Sequence, residues 1–360
     1  MCNPNAILNQ NVFASKSVSQ GNQTDGISGD WQTVLADAVR DPAELRRLVG
    51  VGPDTDIDEQ PAADTPFGVL VPRTFLARMR AGDHRDPLLL QVMPQPAENL
   101  RREGFSTDPL CESAGATPCL LQKYKGRSLI LTTAACGVHC RYCFRRHLPH
   151  QDGSVKRPLL ERPLLKRLGV AIHRIETDPS IHEVILSGGD PLTIADEQFA
   201  QLVAKLAEIK HLRRLRVHTR LPIVIPQRIT EELVAVLKST RLVTTVVVQS
   251  NHPAELCEQV AAALGSLIDA GVPVLCQSVL LAGVNDKLEV LAGLCERLID
   301  CRVMPYYLHQ LDRVAGAAHF EVSHRRGLEL IAELRELLPG YAVPRYVREV
   351  PGATHKKVLG

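Results

Sequence analysis

Neither sign of charge dominates this chain. Lysine plus arginine number 42 against 40 for aspartate plus glutamate, a formal net charge of +2 over 360 residues. Without a basic excess the sequence carries no electrostatic footprint for nucleic acid. It also lacks any uninterrupted apolar run near the ~20 residues that a membrane-crossing helix needs. The opening stretch MCNPNAILNQNVFASKSVSQGNQTDGISGD has neither a basic start nor an apolar segment of the kind an export signal carries. Rich in Asn, Ser, Gln and Gly, residues 1–29 read as a disordered tail. The expectation is a cytoplasmic protein, with no membrane or nucleic-acid partner, acting on small molecules or other proteins.

Cysteine is not scarce, since ten are present. In a short secreted chain that number would suggest a disulfide framework, but a chain this long builds its own core. Seven of them, Cys2, Cys111, Cys119, Cys257, Cys276, Cys295 and Cys301, are scattered, mostly in apolar surroundings. They are expected to be free thiols without a chemical role. The other three, Cys136, Cys140 and Cys143, fall within eight residues of LTTAACGVHCRYCFRRH, spaced C-x3-C-x2-C.

The chain divides by rhythm. In DWQTVLADAVRDPAELRRLVG, Asp30 is a candidate N-cap and Asp41-Pro42 restarts a second helix. VPRTFLARMRAG and DPLLLQVMPQ read as two more short helices, and FSTDPLCESAGATPCL as a turn-rich connector. Residues 30–120 are thus expected to form a mainly helical N-terminal region. Over 121–343 the pattern alternates strand and helix. Strands are expected at 128–134, 183–188, 214–219, 243–250, 272–281 and 301–308, with amphipathic helices near 158–177, 196–208, 230–239, 254–270, 287–299 and 323–337. Most of the strands are short apolar runs, as in parallel sheets covered on both faces. Six β-α units are too few to close an eightfold barrel, so the predicted fold is α/β, a partial six-stranded parallel (β/α)6 barrel. Functional residues are then expected at the C-terminal ends of the strands, where the cysteine loop falls. Residues 344–360 form a short C-terminal segment.

A closed structural zinc site normally has four protein ligands. A [4Fe–4S] cluster held by three cysteines leaves one iron open to a ligand. A zinc loop with a distant fourth ligand is the competing reading. The position of the loop after the first strand favours the cluster, as does the glycine turn Ser187, Gly188, Gly189, Asp190 after the next. Glycine there lets the backbone come close to a ligand.

C-x3-C-x2-C resembles the cluster loop of radical S-adenosylmethionine enzymes. CRYCFRRH, SGGDPL, RVHTRLPIVIPQRIT, SNHPAE, LLAGVND and MPYYLHQLDRVAGAAHF together resemble the lysine 2,3-aminomutase family, in order, from about Asp30 to the C-terminus. The resemblance implies three cofactors: the [4Fe–4S] cluster, S-adenosyl-L-methionine and pyridoxal 5′-phosphate. It assigns the aldehyde-binding lysine to Lys356 in EVPGATHKK, the alternative Lys357 breaking register, and the phosphate contact to Arg127. It assigns cosubstrate contacts to the Ser187–Asp190 turn, to Gln277 and to Gln249, the last standing where the family commonly has histidine. It gives the substrate carboxylate to Arg145 and the distal ammonium of lysine to Asp312 and Glu349, a glutamate where free-lysine enzymes carry aspartate. Within the family, DWQTVLADAVRDPAELRRLVG, VPRTFLARMRAG, GFSTDPL, CRYCFRRH and MPYYLHQLD resemble the branch that makes (R)-β-lysine from (S)-α-lysine for elongation factor P, which implies a separate ligase to attach the product. The absence of a C-terminal extension counts in the same direction. Free β-lysine production, or another amino acid as substrate, is the alternative. An external electron donor is implied.

Overall fold

A computed structural model describes residues 30–52, 67–113, 117–147 and 163–360. The predicted tail and the start of the helix expected from 158 lie outside the described residues. The strands are β1 (Leu120–Tyr124), β2 (Arg127–Thr133), β3 (Glu183–Gly188), β4 (Arg214–Thr219), β5 (Val243–Gln249), β6 (Val274–Leu280), β7 (Met304–Gln310), β8 (Arg345–Arg348) and β9 (Lys357–Val358). They form one sheet whose spatial order follows chain order. From β2 to β8 every pairing is parallel. β1 runs antiparallel to β2, and β9 antiparallel to β8.

Six helices carry the chain back between successive parallel strands: Leu164–Glu176, Asp196–Ala207, Glu231–Ser239, Glu258–Asp269, Leu288–Asp300 and His324–Leu337. The partial barrel is as expected, with all six predicted strands in place. β8 extends the parallel series, and β1 and β9 are added at its two edges.

The strands differ from the expectation in one respect that matters for the site. β4 and β6 alternate rather than being buried on both faces. Leu215, Val217 and Thr219 of β4 are buried, as are Val274, Cys276, Ser278 and Leu280 of β6. The intervening residues Arg216, His218, Gln277 and Val279 line a cavity inside the barrel. In a closed barrel the inner side chains fill the interior. Here polar side chains leave room for ligands.

Asp30 caps the helix Trp31–Ala36, its carboxylate accepting from the Thr33 amide at 2.8 Å. Asp41 caps Pro42–Val49, with proline in the first turn. That helix stops at Gly50, whose φ of +72° lies in the left-handed region that favours glycine. The two further helices are single turns, Arg73–Leu76 and Pro87–Leu90, so the N-terminal region is less helical than its pattern suggests. Trp31, Leu45, Phe75 and Leu88 share one buried core with Leu168, Leu186 and Val217 of the barrel. Arg78 reinforces this packing by donating to the carbonyls of Glu255 and Ile223, at 2.6 and 2.7 Å. Among the described residues no helix is long and apolar enough to cross a membrane.

Candidate active site

The cysteine loop leaves the C-terminal end of β2 and is fixed from two sides. On one side lies the turn after β3. The Gly189 amide donates to Thr133 O and the Asp190 amide to Ala135 O, both at 2.7 Å. A Cβ on Gly189 would stand 2.1 Å from Ala135 O, and one on Gly188 2.6 Å from Thr133 O, with φ at +122°. The room these glycines make on that side is taken by the backbone of the cysteine loop, while both also line the cavity. The Asp190 carboxylate is likewise engaged within the protein. It accepts from the Leu192, Arg220 and Leu221 amides and from the Thr219 hydroxyl, tying β3 to β4.

On the other side stands Glu98, buried in the N-terminal region. Arg141 forks onto it at 2.8 and 2.5 Å, and Arg146 pairs with the same carboxylate. Burial would raise this carboxyl, but the two guanidiniums hold it below the usual range. Arg141 and Arg146 bracket Cys143, so the ion cluster clamps the loop.

Burial pushes the Cys143 thiol up to about 11, with neighbouring Cys140 adding to the rise. Burial also raises the Cys136 thiol, with Cys143 the next cause. Three thiolates gather here only if something positive neutralises them. Among the described residues no three His, Cys, Asp or Glu side chains gather tightly enough to hold a single metal ion. A polynuclear cluster needs no such convergence, because each iron takes one thiolate. The donor set fits that group.

At the far side of the sheet the hairpin between β8 and β9 carries Glu349 and Lys356. The two are ion-paired. Burial alone would raise the Glu349 carboxyl, but Lys356 overrides it, helped by the Tyr124 hydroxyl, which donates at 2.6 Å. The carboxyl is held at about 2. Asp312, just past β7, goes the other way: burial lifts it to about 7 against the pull of Lys356. The two acids thus sit in different states, one a paired carboxylate and one poised near neutrality.

Lys123 lies 2.9 Å from Glu112 and 3.5 Å from Glu349. Glu112 in turn receives the Arg145 fork at 2.7 and 3.1 Å. A chain of alternating charge therefore runs from Arg145 through Glu112, Lys123 and Glu349 to Lys356. It joins β1 to the β8–β9 hairpin, spanning the gap that the open barrel leaves. Arg145, expected to meet a substrate carboxylate, is held by Glu112 and also donates to Ser187 Oγ at 3.0 Å. Arg127 stacks over the Tyr124 ring, 5.2 Å from its centroid. Gln249 and Gln277 are direct neighbours in the β5–β6 register.

All fourteen residues singled out from the sequence line one cavity of about 330 Å³. Sequence reasoning missed several others on its wall: Glu112, Lys123, Tyr124, His218, Arg220 and His309. Lys123 and Tyr124 stand just before Arg127, and His218 and Arg220 lie inside RVHTRLPIVIPQRIT, so adjacency to assigned residues is the signal that could have found them. The Nε2 atoms of His218 and His309 are buried without a protein partner. Burial lowers both imidazoles, His309 to about 3, so they stay neutral. Two neutral rings with unused polar atoms suit a cavity built around an organic ligand.

An open parallel β/α barrel with a three-cysteine loop after its first parallel strand defines a radical S-adenosylmethionine type of enzyme. A 4Fe-4S single cluster domain matches residues 125–220. L-lysine 2,3-aminomutase of Haemophilus influenzae (strain ATCC 51907 / DSM 11121 / KW20 / Rd) is 42% identical over 91% of this chain and 94% of its own length. L-lysine 2,3-aminomutase of Escherichia coli (strain K12) is 43% identical over 92% of this chain and 94% of its own. Among solved structures, Streptococcus suis SuiB bound to S-adenosylmethionine aligns with a TM-score of 0.43 at 12% identity, over 63% of this chain and 51% of that one. The chain belongs to the lysine 2,3-aminomutase family. It is an isomerase, and the family's cofactors are a [4Fe–4S] cluster, S-adenosyl-L-methionine and pyridoxal 5′-phosphate.

Proposed function

We propose that this cavity converts (S)-α-lysine to (R)-β-lysine, and that a separate ligase then attaches the product to elongation factor P. One observation carries the reading: Lys356, two acids of contrasting charge state and the three cysteines share a single cavity. Cys136, Cys140 and Cys143 would hold the cluster, Lys356 the aldehyde, and Arg127 its phosphate. Ser187, Gly188, Gly189 and Asp190, through the turn they form, and Gln249 and Gln277 would border the cosubstrate. When bound, these groups supply a 5′-deoxyadenosyl radical and an activated amine for 2,3-migration.

The residues of the chain handle charge. The Glu349 carboxylate, held by the Tyr124 hydroxyl, would accept the distal ammonium of the substrate. Asp312 is the second acceptor once ionised. Two acids at this end repel a second carboxylate and so select lysine over an acidic amino acid. At the opposite end the substrate carboxylate needs Arg145, and it reaches that guanidinium by sharing it with Glu112 or displacing it. Cysteines clustered in this way suit a reducing cytoplasm, where an external one-electron donor would reduce the cluster.

The test is chiral chromatography of the product made by anaerobically reconstituted protein from lysine, S-adenosylmethionine and a reductant. (R)-β-lysine supports the reading. The (S) product would assign the chain to the free β-lysine branch and remove the elongation factor P link.

A further inference from the structure

The motif segments carry a buried polar network that the assigned roles leave unused, and Arg220 is its centre. Arg220 follows β4, and its backbone amide is fixed by Asp190 at 2.7 Å. Its guanidinium is buried, standing over the rings of Phe75 and Tyr142 at 5.6 and 5.7 Å. Nη1 donates to the Cys140 sulfur at 2.7 Å and to the Tyr142 hydroxyl. Nη2 donates to Gln91 Oε1 at 2.9 Å and to Glu255 Oε2 at 3.1 Å. Glu255 is itself held by the amides of Asn251 and His252 and by the Gln91 side chain, at 2.9, 3.1 and 3.2 Å. The Asn251 amide group donates to Gln91 Oε1 and to the Tyr142 hydroxyl, at 2.9 and 2.7 Å. Arg220 Nε is buried without a protein partner, on a residue that lines the cavity.

This network fixes a cation against one cysteine sulfur and opposes it with one buried carboxylate. Hydrogen bonds to the sulfurs and nearby charge are what set the potential of an iron–sulfur cluster. We infer that Arg220 is a positioning residue that raises the reduction potential of the cluster through Cys140, with Glu255 opposing it. The step concerned is transfer of one electron from a low-potential donor to the oxidised cluster, which gains one negative charge. The N–H···S bond and the guanidinium charge favour that added charge, and the Glu255 carboxylate disfavours it. The inference rests on the cysteine loop holding the cluster, and iron content separates a failure of that premise from a failure of the inference.

The experiment is a redox titration of the reconstituted full chain, following the electron paramagnetic resonance signal of the reduced cluster. Parent, Arg220→Gln and Glu255→Gln are compared, with iron and sulfide measured in each. At the parent's midpoint, Arg220→Gln is expected to lower the reduced-to-oxidised ratio at least tenfold, about 59 mV for a one-electron couple. Glu255→Gln is expected to raise it. A merely structural role does not produce opposite signs. Shifts in the same direction, or loaded variants that titrate with the parent, overturn the inference. Where Arg220→Gln takes up no iron, Glu255→Gln decides alone: an unchanged or lowered ratio overturns it.

Discussion

Lys356, Glu349 and Asp312 share one cavity, yet their protonation differs for local reasons. Glu349 is paired on both oxygens, while Asp312 is pushed toward neutrality by burial. Below about pH 7 Asp312 is uncharged and gives a lysine ammonium no ionic partner. Specificity for lysine, read as kcat/KM, should therefore rise with pH through an acid limb near 7. Asp312→Asn should remove that limb and raise KM for lysine on the order of tenfold, as loss of a charged hydrogen bond would. Stability responds in the opposite direction. A carboxyl raised in the folded state contributes its full stability below the ordinary carboxylate range and loses it as pH rises through about 7. A pH profile of parent and variant checks both. Lys356→Ala should abolish the visible absorbance of lysine-bound aldehyde cofactor while leaving iron content unchanged. If the absorbance persists, another lysine carries the cofactor.

At the scale of elements, the seating of the cysteine loop against the turn after β3 decides whether the site forms at all. Gly189→Ala forces a methyl into the carbonyl of Ala135, a backbone group that cannot swing aside. The expected loss is about 1–3 kcal/mol from overpacking, together with reduced iron uptake. Denaturant titration and iron assay measure the two. The sequence was most legible here. The bounds expected for β3 and β4, 183–188 and 214–219, are those observed, because each is a short run punctuated by turn residues. β1 and β9 were not legible. LLQKY shows no clean alternation, and a two-residue strand has no pattern at all, so both exist only through pairing with their neighbours. The inner polar face of β4 was equally hidden, since a charged or imidazole side chain in a strand reads as solvent-facing until a cavity is known to lie behind it.

Across the whole molecule, contacts distant in sequence complete the site. Glu112 meets Arg145 across 33 positions and Arg220 meets Cys140 across 80. No local motif encodes such pairs, which is why the site residues matched by family segments were found and their partners were not. The N-terminal region is part of the catalytic body for the same reason, because its Glu98 neutralises two arginines of the cysteine loop. Glu98→Ala would leave both buried guanidiniums without that carboxylate. It is expected to cost about 3–5 kcal/mol, measurable by chemical denaturation. In the proposed function, radical generation and lysine activation occur together in this one cavity. The most direct test uses lysine deuterated at its β-carbon with the reconstituted protein, S-adenosylmethionine and a reductant. Deuterium is expected on the 5′-carbon of the recovered adenosyl group and in β-lysine. Deoxyadenosine formed without deuterium, and no β-lysine, would contradict it.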